Sequence, residues 1–362
     1  MAKGTGSGLK GRGAQSNRDG RFESLEHTPF DDGWNVAEED VAPLRTVLTE
    51  DRARSVITHN DSPDIPFRQS INPYRGCEHG CSYCFARPSH TYLGLSAGLD
   101  FESRLFYKPR AAELLANELR RPGYRCEPIA LGVNTDAYQP VERRLQITRQ
   151  LLTVMRDFGQ PVSLITKSAL IERDLDLLAP MAADGLAEVM ISITTLDADL
   201  ARRMEPRAAS PARRLQTIAR LAEAGVPVGV LVAPIIPGLT DHEIEAILEA
   251  AAEAGAGEAG YVMLRLPHEL RELFPEWLEA QVPLRAGHVM SLLRDLRGGR
   301  ANDPRFGSRM RGEGPLADLV VQRFAVATRR LGLNRSQRIR RLDCTRFAPP
   351  PQSGDQLGLF ES

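Results

Sequence analysis

The chain has 362 residues, 46 Lys and Arg against 47 Asp and Glu, a net charge of −1 with histidine neutral, and 42% hydrophobic side chains. This length can bury a large core, and no apolar run reaches the ~18 residues that a membrane span needs. The default is a soluble cytoplasmic protein with no membrane partner, and its size suits one barrel-sized domain with extensions.

Residues 1–24 mix Gly, Ser, Lys and Arg without an apolar stretch, so they are no signal peptide. Residues 1–50 are expected to be a mostly disordered, mildly basic segment, and residues 60–284 the core. Early in that core, Cys77, Cys81 and Cys84 stand in the run Asn72-Pro-Tyr-Arg-Gly-Cys-Glu-His-Gly-Cys-Ser-Tyr-Cys-Phe-Ala86. Five cysteines in a long chain without a leader suggest a reducing compartment, where such groups bind metal or react rather than cross-link. A structural zinc site wants four closed ligands, which only His79 or His90 would complete. A cluster of four irons held by three thiolates leaves one iron free for chemistry, and the spacing favours it over zinc.

After the loop, strands and helices alternate. Strands are expected at 129–133, 162–165, 188–193, 226–233 and 260–264, with one more leading into the cysteine loop. Helices are expected at 145–158, 174–183, 213–224 and 241–254. Such alternation means parallel βα units, and a barrel or a doubly wound sheet would both fit. No G-x-G-x-x-G follows the first strand, which counts against a dinucleotide fold. Chemistry in parallel folds collects at the carboxyl ends of strands, and polar residues are dense there: Asn134-Thr-Asp136, Thr166-Lys-Ser168, Ser192 and Thr194. Each has a plain structural reading as cap or loop chemistry.

The cysteine spacing, with Tyr83 in the aromatic place, resembles the cluster loop of the radical SAM superfamily. The resemblance implies a partial (β/α)6 TIM-like barrel, a 4Fe-4S cluster on Cys77, Cys81 and Cys84, and S-adenosyl-L-methionine on the free iron. Reductive cleavage would then give a 5′-deoxyadenosyl radical, fed by an electron donor such as flavodoxin or ferredoxin. From Cys77 to Ser192 the chain is similar to the branch containing spore photoproduct lyase. By position, Tyr83, Thr135, Asp136, Lys167 and Ser192 fall where that branch binds S-adenosylmethionine. The runs Ser62-Pro-Asp-Ile-Pro66, Asp100-Phe-Glu102, Met204-Glu-Pro-Arg207 and Leu264-Arg-Leu-Pro267 resemble a narrower, poorly characterised bacterial group related to the lyase.

Two positions depart from the lyase pattern. Val133 replaces its hydrogen-donating cysteine, and Phe85 replaces a tyrosine after the last cluster cysteine. Thymine-dimer reversal by the same route is therefore not inherited. Tyr138 and Cys126 are the candidates for a substitute donor, against the reading of Cys126 as a small buried hydrophobe.

An extension over 285–346 carries fifteen arginines and five acids. This asymmetry suggests DNA or RNA as a partner, with residues 298–312 as the contact loop. The competing reading is internal pairing with the acidic stretches 243–258 and 269–279. Residues 347–362 read as a flexible tail closing on Gln356-Leu-Gly-Leu-Phe360, which resembles the peptide that docks on the bacterial sliding clamp. Together these features suggest a radical enzyme that repairs or modifies nucleic acid. The alternatives are a radical enzyme acting on tRNA or protein, and a non-catalytic iron–sulfur or zinc DNA-binding adaptor.

Overall fold

Short apolar runs that alternate with amphipathic helices are best satisfied by a parallel sheet whose faces the helices cover. The protein, seen in a computed structural model that describes residues 11–18, 20–22, 44–335 and 342–351, follows that logic. Its strands are β1 (Val47–Glu50), β2 (Ile57–His59), β3 (Gln69–Ile71), β4 (Tyr74–Arg75), β5 (Arg104–Tyr107), β6 (Ile129–Leu131), β7 (Val162–Thr166), β8 (Ala187–Ser192), β9 (Val228–Ile235) and β10 (Glu258–Met263). The main sheet has the order β10-β9-β8-β7-β6-β3-β2. It is parallel from β3 to β10, and β2 runs antiparallel at the edge. Six parallel strands with helical crossovers make the expected partial (β/α)6 barrel. A small sheet of order β1-β5-β4 flanks it.

The pleat decides what each strand residue does. In β7, Val162, Leu164 and Thr166 are buried while Ser163 and Ile165 are half-buried, so one face packs under helices and the other lines the lumen. Opposite the buried face, the helices present residues spaced by three and four: Leu151, Leu152 and Met155; Leu177, Leu178 and Met181; Ile247, Leu248 and Ala251. Their starts are locally encoded. Ser210 accepts from the Arg213 amide and Pro211 takes the first turn of Pro211–Glu223, while Asp197 accepts from the amides of Asp199 and Leu200; loss of such a cap costs about 1 kcal/mol.

Strand β6 ends two residues before the expected boundary. Gly132 takes φ +83°, and a Cβ there would meet the Ile165 carbonyl oxygen at 2.3 Å. The chain turns on that glycine, which frees residues 133–139 to form the loop above the sheet.

The described residues add contacts at both ends of the expected core. Part of the leader has a fixed place: the Gly13 and Ala14 amides donate to Glu102 at 2.9 and 2.8 Å, and Arg12 donates to the carbonyls of Glu102 and Leu44, both at 2.7 Å. The extension beyond residue 284 belongs to the body. Helix Pro283–Asp295 supplies Val289, Met290 and Leu293 to an apolar cluster that contains Cys81 and Tyr83. Helix Pro315–Leu331 docks through Phe324 on Tyr261, with ring centroids 4.7 Å apart, and through an Arg323–Glu245 ion pair at 2.5 Å. Among the described residues no helix is long and apolar enough to cross a membrane. The peptide Gln356-Leu-Gly-Leu-Phe360 lies outside the described residues, as do Arg338, Arg340 and Arg341.

Candidate metal centre and active site

The cysteine loop leaves β3 and β4 and crosses the carboxyl ends of the barrel strands. Glycine shapes it: Gly76 and Gly80 take φ +78° and +67°. A Cβ on Gly76 would lie 2.6 Å from Leu105 and 2.8 Å from the Phe101 carbonyl oxygen. Four elements pin it. The Cys77 amide donates to Phe101 O at 2.9 Å, and the Ser82 amide to Met204 O at 2.9 Å. Gln139 accepts from the Glu78 amide at 2.9 Å and donates to Gly76 O at 3.1 Å. Arg207 reaches Glu78 at 3.1 Å. The fully buried Arg87 donates to Cys81 O at 2.9 Å and pairs with the equally buried Glu102, the carboxylate that also holds the leader. A buried charge pair survives only when its remaining bonds are made, and here Arg87 also donates to the carbonyls of Ala97 and Gly98.

Cys77 and Cys81 are buried, Cys84 is half-buried, and none is in a disulfide. Burial raises all three thiols; Cys77 is raised further by Asp136 and by the other two cysteines, and Cys81 by Glu205. Three such thiols become thiolates together only against a strong positive charge, which is what iron supplies. No three His, Cys, Asp or Glu side chains among the described residues stand close enough to grip a single ion. A polynuclear cluster presents its metals at separate corners and takes thiolates from wider apart. Of the two candidate fourth zinc ligands, His79 lies 3.3 Å from Asp136, and His90 is held through Nε2 at 2.8 Å from Arg104 O with its buried Nδ1 unpartnered; neither is grouped with the cysteines as a single-ion site among the described residues. The donor set therefore fits a cluster with one open position.

The residues expected around S-adenosylmethionine occupy the rim beside this loop. Lys167 Nζ donates to Ser192 Oγ at 2.6 Å and lies 5.8 Å from the Tyr83 ring centre. Ser192 Oγ and Thr194 Oγ1 each donate to Ala233 O at 3.0 Å. The Tyr83 hydroxyl is 3.1 Å from Thr194 and donates to Glu205. Glu205 is paired with Arg214, which also donates to Ser192 O at 2.9 Å. Burial alone would raise Glu205, but Arg214 and Lys167 bring it to about 2. Asp136 behaves alike: against desolvation, His79, the Lys167 amide at 2.8 Å and Thr166 at 2.7 Å hold it at about 2. Its oxygens are spent inside the protein, so here Asp136 anchors the β7 loop. Thr135 donates to Tyr74 O at 2.9 Å and ties the β6 loop to β4.

The two candidate substitute donors lie at opposite ends of β6. Tyr138, in the loop after β6 beside Gln139, is fully buried and donates to Asp174 at 3.1 Å. Cys126 precedes β6 and so lies at the amino end of the barrel, 3.5 Å from Gln160 Oε1, with Cys344 as its thiol neighbour. Strand length separates it from a loop at the carboxyl ends.

Sequence reasoning missed Arg87, Glu102, Gln139, Glu205 and Arg214. Glu102 and Glu205 lay in runs already singled out for resemblance; an arginine carries no sign of burial until its partner is known. Five of the twelve described arginines of the extension pair with carboxylates, Arg323 among them. Arg305 binds Asp303 and Glu313, Arg309 binds Asp64 at 2.6 Å, Arg330 binds Glu249, and Arg346 binds Asp184 at 2.8 Å. The acidic stretch 243–258 supplies Glu245 and Glu249, as internal pairing requires. Glu269 and Glu272 instead hold Arg21 and Arg18 of the leader.

Comparison with known proteins agrees with this geometry. The family described as the Radical SAM superfamily matches residues 71–251. An uncharacterized protein of Mycobacterium tuberculosis (strain ATCC 25618 / H37Rv) is 38% identical over 232 residues, spanning 64% of this chain and 68% of its own. Another, from Methanocaldococcus jannaschii, is 30% identical over 173 residues, 48% of this chain and 62% of its own. In fold, the chain resembles a solved variant of spore photoproduct lyase, with a TM-score of 0.52, 16% identity, and coverage of 79% of this chain and 80% of that one.

Proposed function

Because the chain belongs to the radical SAM superfamily, we propose that it is an enzyme that binds a 4Fe-4S cluster through Cys77, Cys81 and Cys84, takes S-adenosylmethionine on the open iron, and repairs or modifies nucleic acid by hydrogen abstraction. When bound, the pair supplies a 5′-deoxyadenosyl radical on one-electron reduction. The observation that carries the reading is the trio of disulfide-free thiols, two buried and one half-buried, on a glycine-shaped loop at the carboxyl mouth of the barrel, with no fourth ligand grouped with them among the described residues.

The chain's own residues give this chemistry its setting. Lys167, bonded only to neutral oxygens, keeps a donor for a carboxylate. Glu205 and Arg214 fix Tyr83 and Ser192 and keep the rim preorganised. The leader segment over Glu102 covers the loop: a Cβ on Gly13 would lie 1.7 Å from Gly80 O. Such cover keeps water from a low-potential cluster.

Nucleic acid as substrate is supported by the arginines of the extension without an ion partner among the described residues, such as Arg300 and Arg311. The tail Gln356-Leu-Gly-Leu-Phe360 is proposed as a sliding-clamp peptide, and a flavodoxin or ferredoxin as reductant. Anaerobically reconstituted protein reduced with dithionite should release 5′-deoxyadenosine from S-adenosylmethionine; no release overturns the enzyme reading. Deuterium carried into 5′-deoxyadenosine from labelled DNA, and not from labelled RNA or protein, is the expected substrate result.

A further inference from the structure

The run Leu264-Arg-Leu-Pro267 follows β10, while the cysteine loop follows β3 and β4. In the sheet, β10 and β3 stand five strands apart, at the two sides of the unclosed barrel. Yet the Arg265 guanidinium stacks on Phe85, the residue after the last cluster cysteine, at 4.7 Å from the ring centre. The contact spans the open seam at the carboxyl mouth, where a large substrate can approach without passing through a closed ring.

The charge around this point is unbalanced in one place. Arg305 and Arg309 have carboxylate partners in Asp303, Glu313 and Asp64. Arg297 is buried and donates to the carbonyls of Ser308 and Leu264 at 2.9 and 2.8 Å. Arg265 has neither hydrogen bond nor ion pair among the described residues, although it is half-buried. Its fork of donors is held flat by the ring and left open, which suits an anion that takes two parallel bonds. Beside it, Arg309 stacks on Phe306 at 4.7 Å. Phe85 and Phe306 are 44% and 59% exposed. Exposed rings interleaved with guanidinium groups are the platform on which unpaired bases stack, whereas a carboxylate-bearing peptide has no use for them.

We propose that Arg265 anchors a backbone phosphate of single-stranded nucleic acid at the open seam, with Phe85 and Phe306 as stacking surfaces for the flanking bases. This rests on the nucleic-acid reading above and gives it a point of contact beside the cluster loop. The Arg305 and Arg309 side chains, tied to carboxylates, then shape the groove rather than bind phosphate.

The test measures fluorescence anisotropy of a labelled single-stranded 12-mer, as DNA and as RNA, with full-length reconstituted protein over a range of salt. Arg265→Gln should weaken binding about tenfold and lower the salt slope by about one, and Arg265→Lys should restore the slope. Phe85→Leu should weaken binding about fivefold or more, and Phe85→Trp should not. Iron content and S-adenosylmethionine affinity, measured without oligonucleotide, should be unchanged in Arg265→Gln. Equal affinity of wild type and Arg265→Gln for the oligonucleotide overturns the assignment of Arg265 and leaves the nucleic-acid reading standing. If the wild type ignores both oligonucleotides but binds an acidic peptide, both fall. Loss of S-adenosylmethionine affinity in Arg265→Gln overturns the assignment by making Arg265 a cofactor ligand.

Discussion

The two ends of the barrel handle polarity in opposite ways. At the carboxyl end the chain buries the ion pairs of Arg87 with Glu102 and of Arg214 with Glu205, sets the Asp136 carboxylate against His79, and holds half-buried Lys167 above Ser192. At the amino end the buried polar corner is neutral. Gln160 accepts from Tyr124 at 2.9 Å and from Cys126 at 3.5 Å, and Phe347 of the C-terminal segment packs on Tyr124 with ring centroids 5.3 Å apart. Burying charge adds little net stability and carries a large desolvation penalty. A fold that gathers fully buried Arg–carboxylate pairs at one end marks that end as the place where charge does something other than hold the chain together.

The sharpest way to break this contrast is Cys81→Ser, which should abolish bound iron and S-adenosylmethionine cleavage; iron assay and 5′-deoxyadenosine release check it. Glu205→Ala should destabilise by about 3–5 kcal/mol in urea unfolding, because Arg214 is left buried without its partner. Acid should act at the same end. Glu205 and Asp136 are both depressed to about 2 when folded, below unfolded values of about 4. Depressed carboxyls contribute stability that is full above the unfolded value and lost as pH falls through the folded one. Stability should therefore fall between about pH 4 and pH 2, and Glu205→Gln should flatten that slope. Gly13→Ala should destabilise by about 1–3 kcal/mol, since its Cβ meets the Gly80 carbonyl, and should speed cluster loss in air, read from visible absorbance. The smallest effect belongs to the neutral end: Cys126→Ser should change stability by less than about 1 kcal/mol and leave iron content unchanged. Loss of iron there would erase the distinction between the ends.

Much of the barrel was legible because its signals are local. Helix Ile147–Asp157 announces itself through Leu151, Leu152 and Met155, and Pro211–Glu223 through Ser210 and Pro211. The cysteine loop was equally open to reading, since its three cysteines fall within eight residues. The rim was half legible: Lys167 and Ser192 do meet, while Asp136 turned out to be consumed by Thr166, Lys167 and His79. Cys126 and Tyr138 flank β6, and the strand carries Cys126 to the amino end while Tyr138 stays at the carboxyl end with its hydroxyl bonded to Asp174.

Sequence alone determined what depends on residues close in the chain: periodic helices, apolar strands, and a cysteine loop short of one protein ligand. Tertiary structure decided which charges pair. Glu102 lies 15 residues from Arg87 but 88 from Ala14, and Arg309 finds Asp64 from 245 residues away. Nothing in local chemistry separates such an arginine from one in solvent. Only the curvature of the sheet brings the carboxyl ends of β3 and β10 to the two sides of one seam, where Arg265 rests on Phe85 with no ion pair among the described residues.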